Sequence, residues 1–410
     1  MNKWPLVKLG ELCSKIGSGA TPKGGAAVYV DEGTSLIRSQ NVYNLRFEYS
    51  GLTFITYDAA QKLSGVTICS DDVLLNITGD SVARTCIVPL DVIPARVNQH
   101  VAILRARQDV LNPRYLNYFL ASPKMQAHML GLAVGKGASR NAMTKGMIEN
   151  FEISLPPLEV QRKIADILSA YDDLIENNRK QIKLLEEAAQ RLYKEWFIDL
   201  RFPGYETTPI IDGIPEGWDR KKLGEWVNTF SGGTPSRKNK EFYQNGSNFW
   251  LKTQELTDCF IFETEEKITD RAIEHSSAKY IYPNSIIMAM YGATIGKLGI
   301  AATRLTCNQA CCVFDLSSDF EKMPYLYLWL KSNRDFFVSQ GIGSAQSNLS
   351  QAMIKNFDII VPCQTTLSNF SPIATKIFAK ILKLQKSVKE AKNAQDRLLP
   401  KLMTGELEVK

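Results

Sequence analysis

From Leu168 the apolar positions fall at alternating steps of three and four: Leu168, Tyr171, Ile175, then polar Asn178, then Ile182, Leu185, Ala189, Leu192 and Trp196. A second run repeats the rhythm at Ala374, Ile377, Ile381, Leu384, Val388, Ala391, Gln395, Leu398 and Leu402. Each member of the second run lies 206 residues after its counterpart, as Phe357 lies after Phe151. Alternating three–four spacing is the seam of one helix packed on another. Four heptads of it span roughly 40 Å at about 1.5 Å per residue. Two amphipathic helices packed on their own domains would show a wider stripe. The seam is predicted to be an antiparallel, pseudo-two-fold pair forming a coiled coil, with Asn178 and Gln395 helping to fix register.

The repetition extends well beyond the helices, at offsets that drift with small insertions. Trp4-Pro-Leu-Val-Lys-Leu-Gly-Glu11 is answered by Trp218-Asp-Arg-Lys-Lys-Leu-Gly-Glu225, and each runs on to a Thr-Pro pair at Thr21 and Thr234. Leu36–Val42 matches Trp250–Leu256, Asp72–Arg84 matches Ser285–Lys297, and Asn98-Gln99 matches Asn308-Gln309. Gly135–Pro157 matches Gln340–Pro362. Matched blocks in a fixed order mark a tandem duplication. Within each repeat the pattern predicts short strands (Ser35 to Arg38, Asp72 to Ile77, Val101 to Leu104, Ile153 to Leu155 and their counterparts) and short helices over Pro113 to Leu120 and Pro324 to Leu330. Phe197 to Trp218, with three prolines and three glycines, is a connector. The expected fold is α+β: domains over 1–155 and 218–362, helical spacers over 156–200 and 363–410, and a linker over 201–217.

Composition narrows the chemistry. No window approaches eighteen uncharged apolar residues, and Glu11 interrupts what would have to be the apolar region of a signal peptide. Neither a membrane span nor secretion is expected. The eight cysteines form no CxxC pair. Cys307, Cys311 and Cys312 sit in what reads as a buried apolar strand, and His100, His128 and His275 are the only histidines, so no metal site is expected. This cysteine usage points to the reducing cytoplasm. The net charge of +6 is matched by one stretch alone: Lys376 to Lys401 carries eight basic residues against Glu390 and Asp396. That helix face can track phosphates, dock an acidic partner or simply be solvated.

Catalytic signatures are missing from the sequence. Gly292-Ala-Thr-Ile-Gly296-Lys297 resembles a phosphate loop but has three residues between its glycines and Leu298 after the lysine. The matched Gly79-Asp-Ser-Val-Ala83-Arg84 marks it as a shared strand–loop structure. No amino-methyltransferase, nuclease or helicase motif stands out, and no histidine has a hydrolase setting.

Binding chemistry is better represented. Arg38, Gln40 and Asn41 occupy positions matched by Lys252, Gln254 and Glu255, and Arg, Gln and Asn are the side chains that contact base edges bidentately. Thr21 and Lys23, with Ser236, Arg237 and Lys238, follow the two Thr-Pro turns, where backbone can approach phosphates. Ser81 and Arg84, with Thr294 and Lys297, lie in the matched loops just described. Lys136, Ser139 and Arg140 answer Ser344, Gln346 and Ser347 on a second glycine-containing loop. For each, a solvated loop or a structural hydrogen bond is the competing role. Asn98, Gln99, Asn308 and Gln309, being identical in both halves, are equally well read as structural turns.

Three segments carry a family resemblance: Trp4–Glu11, Asn150-Phe-Glu-Ile-Ser-Leu-Pro-Pro-Leu-Glu-Val-Gln-Arg-Lys-Ile-Ala165, and Leu398-Leu-Pro-Lys-Leu-Met-Thr-Gly-Glu406. With the order of domains and helices, they resemble the specificity subunits of type I restriction–modification systems over essentially the whole chain. Pro362-Cys-Gln-Thr-Thr-Leu367 departs from the Pro-Leu-Glu-x-Gln usual at the start of the second helix. The resemblance implies that each domain reads one half of a split asymmetric site in double-stranded DNA while the helices hold the domains apart. It further implies two modification subunits bearing S-adenosylmethionine and two restriction subunits bearing ATP and magnesium, with no cofactor and no catalytic residue in this chain. The competing classes are a fused methyltransferase–specificity enzyme and a coiled-coil adaptor that binds only proteins.

Overall fold

A computed structural model describes residues 4–134, 142–342 and 348–409. The chain divides into two compact units: unit 1 is Met1–Glu176 with Lys389–Lys410, and unit 2 is Asn177–Val388. Both are α+β and are built on one plan.

In unit 1 the strands that matter are β1 (Cys13–Ser18), β2 (Thr34–Ile37), β3 (Val73–Asn76), β4 (Ala95–Val97) and β5 (Val101–Ala106). The central sheet runs β1, β5, β3 and Thr85–Ile87, all antiparallel. A second sheet places β4 parallel to β2 and continues through Thr53–Ile55 and Tyr29–Val30. In unit 2 the counterparts are β6 (Asn228–Ser231), β7 (Asn248–Leu251), β8 (Ile286–Ala289), β9 (Thr306–Cys307) and β10 (Cys311–Asp315). Their order is β6, β10, β8, Leu298–Ala301 and Cys259–Ile261 in the first sheet, and Glu266–Ile268, β7 and β9 in the second, with β9 parallel to β7.

The inner strands β3, β5, β8 and β10 are apolar on both faces because each central sheet is buried on both there. Along β5, Ala102 and Leu104 enter one core and Val101 and Ile103 the other; β3 does the same with Leu75 and Leu74. In unit 2, Cys312 and Phe314 face one core while Cys311 and Val313 face the other, so the clustered cysteines act as small hydrophobes. Each large side chain so buried stabilises its unit by about 1.5–3 kcal/mol. Observed strands lie within two residues of the expected ones. The short helices extend slightly, to Pro113–Ala121 and Met323–Ser332, and each is followed by a second helix that the pattern did not reveal, Pro123–Ala133 and Arg334–Ile342.

The long helices are Leu158–Tyr193 and Gln364–Thr404, and they begin at positions that keep the 206-residue offset despite the unusual Cys363-Gln364-Thr365. Each contributes a segment to both units. In unit 2 the Trp196 ring lies 5.6 Å from Phe370 and Asn178 donates to Ser387 Oγ at 3.0 Å, which makes the pairing antiparallel. In unit 1 Ile164 and Leu168 share a core with Leu399 and Leu402, and Gln395 donates to Asp172 at 2.7 Å. Leu168, Ile175, Asn178, Ala189, Trp196, Ala374, Ile381, Leu384, Ala391, Gln395 and Leu402 are buried; Tyr171, Ile182, Leu185, Leu192, Ile377, Val388 and Leu398 are half-buried. Phe370, Phe378 and Leu399 widen the stripe beyond the expected seam because these segments also pack on their units.

The connector is more structured than its proline and glycine content implies. Ile210–Ile211 pairs with Ile214–Pro215 in a hairpin closed by Asp212 and Gly213 at positive φ. Phe202 and Trp218 bury their rings against each other and Phe197.

Candidate nucleic-acid interface

Strand pairing gathers the loops singled out from the sequence. In unit 1, Ser18 at the end of β1 faces Ala102, and Val101 faces Asn76 at the end of β3. Ile37 and Val97 pair at the ends of β2 and β4. Four chain segments therefore leave the sheets at one rim. They are stitched together there: Gly19 N donates to Val101 O at 2.9 Å, Ala20 N to Val97 O at 3.0 Å, Asn98 N to Ile37 O at 3.0 Å and Ile77 N to His100 O at 3.0 Å. Unit 2 reproduces the frame, with Gly232 N to Cys311 O at 3.3 Å, Gly233 N to Cys307 O at 2.9 Å, Asn308 N to Leu251 O at 2.9 Å and Met290 N to Ala310 O at 2.8 Å. Gly19 and Gly232 are required, since a Cβ at either would overlap the carbonyl of Val97 or Cys307.

The identical Asn-Gln pairs have a shared job. Asn98 Oδ1 accepts from His100 N at 3.1 Å and Asn308 Oδ1 from Ala310 N at 3.2 Å, so both asparagines close the turn with their own side chains. The following glutamine accepts from the Thr-Pro threonine in both units: Thr21 to Gln99, and Thr234 to Gln309. This exposed latch ties two rim loops together. The matched loops after β3 and β8 also share a backbone: Gly79 and Gly292 have positive φ, as do Ala83 and Gly296. Thr294 there hydrogen-bonds Tyr291 O, and Ser81 is half-buried.

Side chains on this common frame diverge. In unit 1, Arg38 Nη2 and Gln40 Nε2 both donate to Gly51 O, at 2.9 and 3.0 Å. Asn41 is fully buried and donates to Glu48 O at 2.9 Å, so it shapes the turn and presents nothing to a ligand. Arg84 and Arg46 both lie over the Tyr43 ring, at 4.5 and 5.0 Å from its centroid. Lys23 is exposed.

Unit 2 places carboxylates among its cations. Arg237 Nη1 meets Glu266 at 2.7 Å, and Lys252 Nζ meets Glu266 at 3.1 Å and Glu265 at 3.2 Å. The Arg237 hydrogen bond, outweighing desolvation and aided by Lys252, holds the Glu266 carboxyl below its ordinary range; Glu266 and Glu265 in turn raise Lys252. Lys252 is therefore largely committed within the protein. Lys297 lies 3.9 Å from Asp258, while Ser236, Lys238 and Gln254 are exposed. Tyr43, Arg46 and Glu266 carry rim chemistry that sequence reasoning missed. Glu266 is found only through the register that sets Glu266–Ile268 beside β7.

Lys136, Ser139, Arg140, Ser344, Gln346 and Ser347 lie outside the described residues. On the second long helix, Lys376, Lys380 and Lys383 are exposed in unit 2, and Lys392, Arg397 and Lys401 in unit 1. Among the described residues no group of His, Cys, Asp or Glu forms a metal site, and no helix is long and apolar enough to cross a membrane.

Two rims with one hydrogen-bonded frame and different presented side chains define a duplicated recognition scaffold. Comparison with known proteins gives that class its family. The family model "Type I restriction modification DNA specificity domain" matches residues 1–187 and again 215–389. The chain is 28% identical to the type I restriction enzyme MjaIX specificity subunit of Methanocaldococcus jannaschii, over 99% of this chain and 94% of that one. It is 23% identical to the HindI specificity subunit of Haemophilus influenzae, over 76% and 81%. A crystal structure of a type I restriction–modification S subunit from M. genitalium shares the fold, with a TM-score of 0.65 over 98% and 96% of the two chains at 13% identity. The chain belongs to the type I DNA specificity family and carries its domain twice.

Proposed function

We propose that this chain is the DNA-reading subunit of a type I restriction–modification complex, each unit's rim taking one half of a bipartite asymmetric site. The observation that carries this reading is the pair of rims: a backbone frame shared by the repeats supports side chains that differ, Arg38 and Arg84 in one against Lys252 and Lys297 in the other, which adds Arg237. Such a device binds two different half-sites with one architecture. Backbone amides and exposed lysines supply the sequence-independent phosphate contacts, and arginine and amide side chains supply base discrimination.

In this reading the chemistry belongs to partners. Two modification subunits supply S-adenosylmethionine and adenine methylation; two restriction subunits supply ATP- and magnesium-dependent translocation and cleavage, in the cytoplasm. This chain contributes no catalytic residue. The test is selection from a randomised duplex pool by the assembled complex, followed by sequencing. Two separate conserved half-sites are expected, and replacing Trp4–Asn150 by the matching segment of a relative is expected to change one only. An unselected pool would favour a protein-only adaptor, and simultaneous change of both half-sites would overturn independent reading.

A further inference from the structure

We propose that Arg237 reads a guanine in the half-site of unit 2, its guanidinium held ready on an aromatic shelf. This rests on the reading of the chain as a DNA specificity subunit. The shelf is made by Tyr243 and Trp250, whose ring centroids lie 5.9 Å apart at 74°. The Arg237 Cζ lies 4.2 Å from the Tyr243 centroid and 5.1 Å from that of Trp250. Both aromatic rings are fastened to the loop that carries the arginine: Tyr243 OH donates to Pro235 O at 2.6 Å and Trp250 Nε1 to Gly233 O at 2.9 Å. Trp250 is itself buried in a small core with Phe242, Ile268 and Ala272. The shelf and the loop therefore move as one piece.

Glu266 fixes the remaining freedom by accepting from Nη1, yet the Arg237 side chain stays 54% exposed. A guanidinium has five N–H donors, so an edge of the fork remains for an external acceptor pair. Guanine offers O6 and N7 side by side in the major groove; adenine sets a donor beside its N7, which an all-donor fork rejects. An arginine already stacked and buttressed loses little further freedom on binding.

The surrounding charge argues against a phosphate as the target. Arg237, Lys252, Glu265 and Glu266 form a cluster of two cations and two carboxylates. Such a cluster has no net attraction for an anion, and its carboxylates repel one at short range. A neutral base edge meets no such repulsion. The exposed Lys238 nearby suits the phosphate role better.

The experiment uses the assembled complex and a library randomised through both half-sites. Arg237→Lys keeps the charge and removes the fork. It is expected to lower the preference for guanine at one position of unit 2's half-site by roughly tenfold to a hundredfold, leaving unit 1's half-site and the salt dependence unchanged. Glu266→Gln is expected to weaken preference at the same base pair by a smaller factor, a readout that mere destabilisation would not confine to one position. Unchanged base preference in Arg237→Lys overturns the proposal. So does an equal loss for every sequence after Arg237→Ala with the salt slope reduced by about one, the signature of a phosphate contact. A wild-type complex that shows no sequence preference overturns instead the reading on which the proposal rests.

Discussion

In unit 1 the corner behind the rim is closed by Asn44 and Gln126; in unit 2 the corresponding corner is closed by Asp258 and Arg334. The turn is similar in both, but its accepting side chain sits on the positive-φ residue itself in unit 2 and on the residue before it in unit 1. Leu45 and Asp258 have φ of 59° and 62°, and each donates its N–H across the turn at 2.8 Å, to Thr85 O and Leu298 O. Asn44 Oδ1 accepts from Thr85 N at 3.1 Å as Asp258 Oδ1 accepts from Leu298 N at 3.0 Å. Gln126 Nε2 donates to Ala83 O and Arg334 Nε to Gly296 O, both at 2.8 Å. The side chains then join: Asn44 Nδ2 donates to Gln126 Oε1 at 3.3 Å, and Arg334 grips both oxygens of Asp258. The fold thus needs two linked hydrogen-bonding side chains at this corner, and either amides or ions satisfy it. The difference lies in what happens when one partner is lost.

The largest effect is expected there. Asp258→Asn leaves Arg334, only 23% exposed, without its counter-charge, and is predicted to destabilise unit 2 by about 2–4 kcal/mol. Asp258→Asn with Arg334→Gln replaces the ion pair by a pair of amides, the chemistry of unit 1, and should recover most of that loss in denaturant titration. No recovery would mean that the two corners are not equivalent. Acid should separate the units as well. Burial alone would raise the Asp258 carboxyl, but Arg334 and the Leu298 amide outweigh it and hold it below its ordinary 3.8. A depressed folded-state pKa stabilises above the unfolded value, so this contribution is present above about pH 4 and is lost as pH falls through the folded pKa. Asp172 in unit 1 behaves oppositely: burial raises it despite hydrogen bonds from Tyr118 and Gln395, so its contribution is complete below 3.8 and is lost as pH rises through its folded value. Protection of the Leu298 amide against hydrogen exchange should fall more than that of Thr85 once the pH is taken below about 4.

A middle-sized effect is expected at the polar seam positions. Gln395 serves a mostly buried carboxylate, donating to Asp172 Oδ1 and to Leu168 O. Gln395→Leu strips that carboxylate of a donor and should cost unit 1 about 1–3 kcal/mol. Among the described residues Asn178 donates to the half-buried hydroxyl of Ser387, which can turn to water. Asn178→Leu is therefore expected to be close to neutral, within about 1 kcal/mol by thermal unfolding. Equal losses would show that the two seam positions do the same work.

The two repeats also explain what the sequence could reveal. The duplication, the long helices and the strand positions were legible because they rest on residue class and spacing, which both repeats share, the helices at a constant offset of 206 residues. The rim was legible as a set of loops, since Thr-Pro and Asn-Gln recur by identity. The Asn44–Gln126 and Asp258–Arg334 corners were not, because the repeats use different residues some eighty positions apart. Asn41 and Lys252 look alike as polar residues after an apolar strand, yet one is buried under Glu48 and the other is paired to Glu265 and Glu266. Hydrogen-bond partners of that kind are set by sheet register, which composition does not encode.

The smallest effect concerns a hydrogen bond between exposed rim side chains that the units hold in common. Thr21 donates to Gln99 and Thr234 to Gln309 through side chains identical in both repeats, on a frame where Arg38, Arg84 and Arg237 have no identical counterpart. Two half-sites of different sequence cannot both be read by the same pair, so the latch acts in a way indifferent to sequence: it fixes the Thr-Pro loop against the Asn-Gln turn so that neighbouring residues arrive in place. Both side chains are exposed, and a solvent-exposed hydrogen bond is worth only about 1 kcal/mol. Gln99→Ala and Gln309→Ala should each weaken DNA binding by roughly fivefold, by the same factor for every duplex tested, with base preferences intact in both half-sites. Since the sites lie in separate units, the double variant should show the product of the two losses. A loss that depended on the base at one position would make the glutamine a reader, and the latch would then have to be given up as the reason for its recurrence.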